Sequence, residues 1–262
     1  MATIGFIGCG KMGCALIGSI LKNTDHKIIG SDRSEEYLKT VKNQFKIQTT
    51  TDNKELAKKS SIIFISVKPQ DMNLVLKEIK PEVKSQLIVS IAAGIPIKAI
   101  TTALNYNKVI RVMPNTPCLV GEMAAGYSCG KAVTKAEAES IRHILSCAGI
   151  AVEVEEKHLD SITALSGSGP AFFAEFIRHF VNAAAEDGLP KDIALKLACQ
   201  TALGTGKLLL EKNMLPEELI ALVSSPNGTT VAGLNVLENM KIDSIIAHTY
   251  KAAVQRSREL GK

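Results

Sequence analysis

The sequence predicts an α/β domain with a doubly wound, mostly parallel sheet, followed by an all-helical domain. Three observations carry that expectation. Up to residue 155, short β-branched runs alternate with helical patterns, the order expected of βα units. Several runs, Ile62-Ile63-Phe64-Ile65 among them, are apolar at every position, as strands are when helices cover both faces of a parallel sheet. From Glu156 onward the strand signal stops and apolar residues recur at helical spacing. The expected domains are residues 1–155 and 156–262.

Strands are expected over Thr3–Gly8, Lys27–Ser31, Ile62–Val67, Leu87–Ile91, Val109–Met113, Ala124–Cys129 and Ala151–Val154. Between them, Lys11–Lys22, Ser34–Asn43, Pro69–Ile79 and Lys135–Ala148 read as helices. In the second half, Phe172, Phe173, Phe176, Ile177, Phe180, Val181 and Ala184 follow a helical period. Pro170 suits the first turn of that helix and Gly188 its stop. Lys191–Glu211, Pro216–Val223, Thr230–Asn239 and Asp243–Leu260 continue the pattern. The Pro170–Asp187 helix carries Ala171, Ala174, Ala183 and Ala185 on its other flanks. A helix this apolar in so small a domain needs burial on most sides, and a second copy of the chain would supply it. A homodimer through the helical domain is therefore expected.

The formal net charge is +5, but the lysines are scattered and the longest basic run is Lys58-Lys59. That describes a solvated surface rather than a nucleic-acid interface, although a modest positive field still helps recruit small anions. The cysteines at 9, 14, 118, 129, 147 and 199 form no CxxC pair, and no His lies at ligand spacing from them. Neither a disulfide scaffold nor a metal site is expected. No apolar run approaches the roughly 20 residues that cross a bilayer. Met1-Ala2-Thr3 leads straight into a strand, which does not read as a signal peptide. The expectation is a cytoplasmic protein with no membrane partner.

Gly8, Gly10 and Gly13 match GxGxxG directly between a strand and a helix, the context that makes this motif a dinucleotide-binding turn of the Rossmann type. The first glycine allows the tight turn, the second lets backbone approach a pyrophosphate, and the third lets helix and strand pack closely. Asp32 stands roughly 20 residues beyond Gly13, where a carboxylate would bond the ribose of NAD(H). Arg33 and Ser34 instead suit a 2′-phosphate. If Asp32 turns aside, those two residues can clamp the phosphate, so NADP(H) is preferred and NAD(H) stays open.

Four further segments sharpen this reading: Val67-Lys68-Pro69-Gln70, Arg111-Val112-Met113-Pro114-Asn115-Thr116-Pro117, Leu165-Ser166-Gly167-Ser168-Gly169-Pro170-Ala171 and Ser224-Ser225-Pro226-Asn227-Gly228-Thr229-Thr230. Together they resemble the pyrroline-5-carboxylate reductase family over essentially the whole chain. The resemblance implies reduction of 1-pyrroline-5-carboxylate to L-proline by hydride transfer from NAD(P)H, the last step of proline synthesis. It implies a Rossmann domain, a helical dimerisation domain, and an assembly that in relatives is often a ring of dimers. It also implies that Ile7, Gly8, Cys9, Gly10, Lys11 and Met12 hold the pyrophosphate. Asp32, Arg33 and Ser34 would face the adenosine ribose or its phosphate, with Asn53 beside the adenosine. Ser66, Val67, Lys68, Pro69, Ala92 and Ala93 would run towards the nicotinamide.

The implied substrate is a cyclic imine bearing a carboxylate, so its site must fix the carboxylate and hold the imine carbon close to the nicotinamide. Pro226-Asn227-Gly228 is a turn sequence, and Thr229 or Thr230 can cap the helix that follows. Free N–H groups at that helix start, with hydroxyls from Ser225 and Thr230, would form a carboxylate cradle of Ser225, Asn227, Gly228, Thr229 and Thr230. Thr230 is the expected catalytic contact near the ring nitrogen, and by resemblance Glu156 lies near the substrate. Two departures from the family pattern stand out. Asn227-Gly228 replaces the usual Gly-Gly, and Asn213 stands where many members carry an acid. Two other readings compete. A hydroxyacid-type dehydrogenase needs a lysine on the domain-linking helix, and Ala164–Glu175 has none. A non-catalytic dinucleotide sensor would have no use for the Ser224–Thr230 segment.

Overall fold

The structure, a computed structural model, describes residues 2–261. It divides into two compact units, Met1–Ser168 with Ala253–Lys262, and Gly169–Ala252. The first contains β1 (Thr3–Ile7), α1 (Lys11–Asn23), β2 (Lys27–Ser31), α2 (Glu35–Phe45), β3 (Gln48–Thr50), α3 (Asn53–Lys59), β4 (Ile62–Ile65) and α4 (Met72–Ile79). It continues with β5 (Leu87–Ser90), α5 (Ile97–Leu104), β6 (Val109–Met113), β7 (Met123–Cys129), α6 (Lys135–Ser146), β8 (Gly149–Glu153) and α7 (Leu159–Ile162). The eight strands run in the order β3-β2-β1-β4-β5-β6-β7-β8, and all pairs are parallel except β6 with β7. This is the expected doubly wound sheet, with the strand order reversing between β1 and β4.

The unbroken apolar runs are explained by two cores, one on each face. Ile4 and Phe6 of β1 join Ile62 and Phe64 of β4 in a core shared with Leu16, Ile17 and Ile20 of α1. Ile7, Ile63 and Ile65 point the other way, into a core with Leu56, Met72, Leu76 and Ile100. The period of two along a strand makes this alternation automatic. Phe6 and Phe64, paired in register, stack at 4.7 Å between ring centroids.

Three elements appear where the sequence patterns indicated none. β3 is a three-residue edge strand, too short for an alternating pattern. α3 is a two-turn helix whose start is fixed by Asp52, accepting from the backbone N–H of Lys54 and Glu55. α5 begins after Pro96 and ends at Asn105, which adopts φ 53°. The units also part at Ser168, later than residue 155. Leu159 and Ala164 are buried, Ile162 packs over Gly126, and Asp160 accepts from the Ser257 hydroxyl at 2.8 Å.

The second unit comprises α8 (Gly169–Glu186), α9 (Lys191–Glu211), α10 (Pro216–Val223), α11 (Thr229–Asn239) and α12 (Ile242–Leu260), the last continuing beyond the unit. Its own core is sparse: Val181 and Ala194 are buried, while Phe173, Phe180, Leu197, Leu210 and Leu222 are exposed. α9 has 21 residues and contains an 18-residue window of mean hydropathy 1.2, long and apolar enough to cross a membrane by length and composition alone. Within that window the charges, Lys196 and Lys207, are single residues, so they break the apolar run without lowering the window's average further.

Phe64 is fully buried at the centre of the sheet. Phe64→Ala is expected to lower stability by about 3–5 kcal/mol through lost burial and an unfilled cavity. Urea unfolding followed by circular dichroism measures it.

Candidate functional site

The strand-order reversal opens a crevice at the C-terminal ends of β1 and β4, where ligands of open α/β sheets bind. The turn after β1 is pressed against the residues after β4. Gly8 adopts φ +98°, and a Cβ there would lie 2.7 Å from the Ser66 carbonyl oxygen. A Cβ on Gly13 would collide with the Gly8 carbonyl. Ser66 closes the arrangement by donating its hydroxyl to the Gly8 carbonyl at 2.6 Å. Gly10 differs, because a Cβ there would meet nothing within 4 Å. It forms the N-cap of α1 and makes no side-chain capping bond. The Cys14 N–H makes the first helical bond, to Gly10, so the amides of Lys11, Met12 and Gly13 precede the helical bond pattern at the start of α1. With no acid in the first turn of α1, a pyrophosphate fits this start both sterically and electrostatically.

Asp32, which could turn aside to leave Arg33 and Ser34 to a phosphate, is bonded in place. Its Oδ2 accepts from the Cys9 N–H at 2.6 Å and its Oδ1 from the Ser34 N–H at 2.8 Å. Two backbone amides satisfy this carboxylate better than solvent would, so it ties the glycine turn to the end of β2. Ser34 is likewise engaged, its Oγ capping α2 through the Tyr37 N–H at 3.4 Å. Arg33 is exposed and pairs with Asp71 at 3.0 Å. Asn53 accepts from the Ser31 hydroxyl and donates to Glu78, both at 2.6 Å. Asp71 and Glu78 were missed in the sequence. Their signal is a seven-residue spacing just after Lys68-Pro69, which returns both to one helical face.

Val67 is partly buried, and Lys68 and Pro69 are exposed, following β4 directly. After β5, Ala92 is buried and Ala93 exposed. All these residues therefore stand in loops after parallel strands. Glu156 lies in the same unit, but its Oε1 is committed, accepting from the Ile97 N–H at 2.7 Å and from Arg111 at 3.2 Å. Arg111, Met113 and Asn115 give the Arg111–Pro117 segment its structural content. Asn115 donates to the Ser166 carbonyl at 3.1 Å and accepts from the Ala124 N–H at 2.9 Å. The segment Thr163–Gly167 that it holds is a single π-helical turn.

In the second unit, Ser225, Asn227, Gly228, Thr229 and Thr230 form one local structure. Asn227 adopts φ 59°, the left-handed conformation expected of the residue that replaces a glycine. Gly228 caps α11, and the Ser225 hydroxyl occupies the space its Cβ would need. Neither threonine caps the helix: Thr229 is its first residue, and no side-chain capping bond is made among the described residues. The Ala232 N–H makes the first helical bond, to Gly228, so the N–H groups of Thr229, Thr230 and Val231 are left for an anion. The buried Ser224 hydroxyl beside them has no hydrogen-bond partner. Asn213 takes φ 48° immediately after α9, a helix-terminating role in which Asn is well tolerated. Among the described residues, no group of His, Cys, Asp or Glu side chains could hold a metal ion.

Comparison with known proteins adds three findings. Residues 156–260 match a family model described as pyrroline-5-carboxylate reductase dimerisation, and residues 3–94 match one described as NADP oxidoreductase coenzyme F420-dependent. A pyrroline-5-carboxylate reductase of Methanosarcina acetivorans is 41% identical, with 99% of this chain and 98% of that protein covered. Two solved structures share the fold end to end. The Coxiella burnetii pyrroline-5-carboxylate reductase has a TM-score of 0.95 at 31% identity, covering 100% of this chain and 99% of that one. The Plasmodium falciparum pyrroline carboxylate reductase with NADP bound has a TM-score of 0.88 at 32% identity, covering 100% and 98%.

Cys9, in the middle of the turn, is buried, and its thiol is pushed up to about 12 by that burial first and then by the nearby Asp32 carboxylate and Cys14. It therefore stays protonated near pH 8. Iodoacetamide at that pH is expected to label the exposed Cys199 and to spare Cys9, as read by peptide mass spectrometry.

Proposed function

The chain belongs to the pyrroline-5-carboxylate reductase family, and from that membership we propose that it reduces 1-pyrroline-5-carboxylate to L-proline, with NADPH as the preferred donor and NADH as a second. The observation that carries the reading is the bare start of α11 in Ser224–Thr230. Its free N–H groups, adjoining hydroxyls and unpartnered Ser224 suit a carboxylate and have no evident use otherwise. The exposed guanidinium of Arg33 supports the preference for a 2′-phosphate.

When bound, the reduced dinucleotide supplies the hydride. The start of α1 holds the pyrophosphate, and Asn53 lies beside the adenosine. Ser66, Val67, Lys68, Pro69, Ala92 and Ala93 border the nicotinamide. The amides of Thr229, Thr230 and Val231, with Ser225, hold the substrate carboxylate. The Thr230 hydroxyl hydrogen-bonds at the ring nitrogen, where the proton of the iminium ion resides, and Asn227 and Gly228 keep the turn in shape. An imine already protonated accepts hydride without an obligatory acid, so positioning and electrostatics carry the reaction.

The helical unit serves as the homo-oligomerisation domain. Phe173 and Phe180 of α8 and Leu197 and Leu210 of α9 are the surface that a second copy covers, which also gives the apolar α9 a use without a membrane. A dimer is the basic assembly, and a ring of dimers its extension. The protein acts in the cytoplasm, without nucleic acid.

Purified protein is expected to oxidise NADPH when given 1-pyrroline-5-carboxylate, and NADH more weakly. Absence of any absorbance loss at 340 nm with either cofactor would refute the activity. Losing a hydrogen bond to a charged group costs about 1.5–3 kcal/mol, so Thr230→Ala should lower kcat/KM by roughly 10- to 100-fold. Dinucleotide affinity, read by calorimetry, should barely change. In sedimentation, the 28.1 kDa chain should run at twice its monomer mass or more.

A further inference from the structure

We infer that Glu156 is a positioning residue that sets the Ala92–Pro96 loop, and through it the nicotinamide, by accepting the backbone N–H of Ile97. The inference rests on the reading above that Ala92 and Ala93 border the nicotinamide.

The loop is held at three points, all within the first unit. At its start, the fully buried Ser90 accepts from the Ala92 N–H at 3.3 Å. In its middle, Gly94 adopts φ +77°, and a Cβ there would lie 3.1 Å from the Leu260 carbonyl oxygen. Gly261 faces it reciprocally, since a Cβ on Gly261 would lie 2.9 Å from the Gly94 carbonyl oxygen. The end of α12 is itself fixed by the bond from Ser257 to Asp160. At the far end of the loop, α5 starts at Pro96, which offers no side-chain cap. Glu156, distant in sequence, supplies that cap at 2.7 Å. The same oxygen receives Arg111, which is only 8% exposed and which makes Glu156 costly to move. A substrate-binding carboxylate would need its oxygens free for the ligand, whereas here Oε1 serves the Ile97 backbone and Arg111.

Three variants separate positioning from contact. Glu156→Ala should lower kcat about tenfold or more with imine KM within about twofold, and should raise the deuterium isotope effect on kcat with NADPH labelled at the transferred position. Glu156→Gln keeps an acceptor for Ile97 and should restore kcat to within about threefold of wild type. Gly261→Val pushes on the loop from its other side and should reproduce the Glu156→Ala signature without touching Glu156. Circular dichroism and thermal unfolding establish folding of each. If Glu156→Ala does not fold, Glu156→Gln and Gly261→Val decide. The inference is overturned if Glu156→Gln loses as much as Glu156→Ala with a raised imine KM, or if Gly261→Val leaves kcat and the isotope effect at wild-type values. Inactive wild-type protein would instead remove the underlying reading.

Discussion

The near-contact between the glycine turn and the end of β4 constrains the rest of the first unit. Gly8 can lie against Ser66 because it has no side chain and accepts φ +98°. Gly13 can lie over Gly8 for the same steric reason. That closeness brings the start of α1, with the amides of Lys11–Gly13 outside the helical bond pattern, onto the strand-order reversal. Asp32 then does its work from β2: with one oxygen on Cys9 and the other on Ser34, it fixes the turn to the neighbouring strand. A residue that a motif reading assigns to the ribose is in this fold first a brace.

Selectivity between dinucleotides consequently falls to Arg33 and its surroundings. Arg33 already has a partner in Asp71, and Glu78 lies behind Asn53. A 2′-phosphate must outcompete one partly buried carboxylate for the exposed guanidinium, and an ion pair with so exposed a partner is worth about 1 kcal/mol or less. The pair is weak enough to yield to a phosphate, and its replacement by that stronger partner is the electrostatic basis for preferring the phosphorylated cofactor.

Legibility in the sequence followed the physical range of each interaction. β1, β4 and β5 were plain because both faces of each strand are buried, so every residue reports the same environment. The helices α8 to α12 were legible from period alone. β3 was not, because Gln48-Thr49-Thr50 is a short polar edge whose place depends on its pairing with β2. Ser225–Thr230 was legible as a turn and helix start, but the choice between a capping threonine and bare amides needed the backbone geometry. Glu156 was the least legible. Its role depends on Ile97 and Arg111, residues brought near only by the tertiary fold.

Helix starts in this protein differ in what occupies the capping position, and two of them stand out. At α2, α3 and α6 a side chain closes the start: Ser34, Asp52 and Thr134 respectively, whereas α4, α7 and α9 start without one. α5 follows Pro96 and takes its closure from Glu156. At α1 and α11 the capping residue is a glycine, Gly10 or Gly228, with no acid in the first turn. Leaving these amides without a side-chain acceptor forgoes about 1 kcal/mol of capping at each. A pyrophosphate at one and a carboxylate at the other would return it as binding energy, with the helix dipole adding to both. A glycine cap with no acid in the first turn, found at both α1 and α11, thus leaves room for each of the two anions that the proposed reaction must bring together.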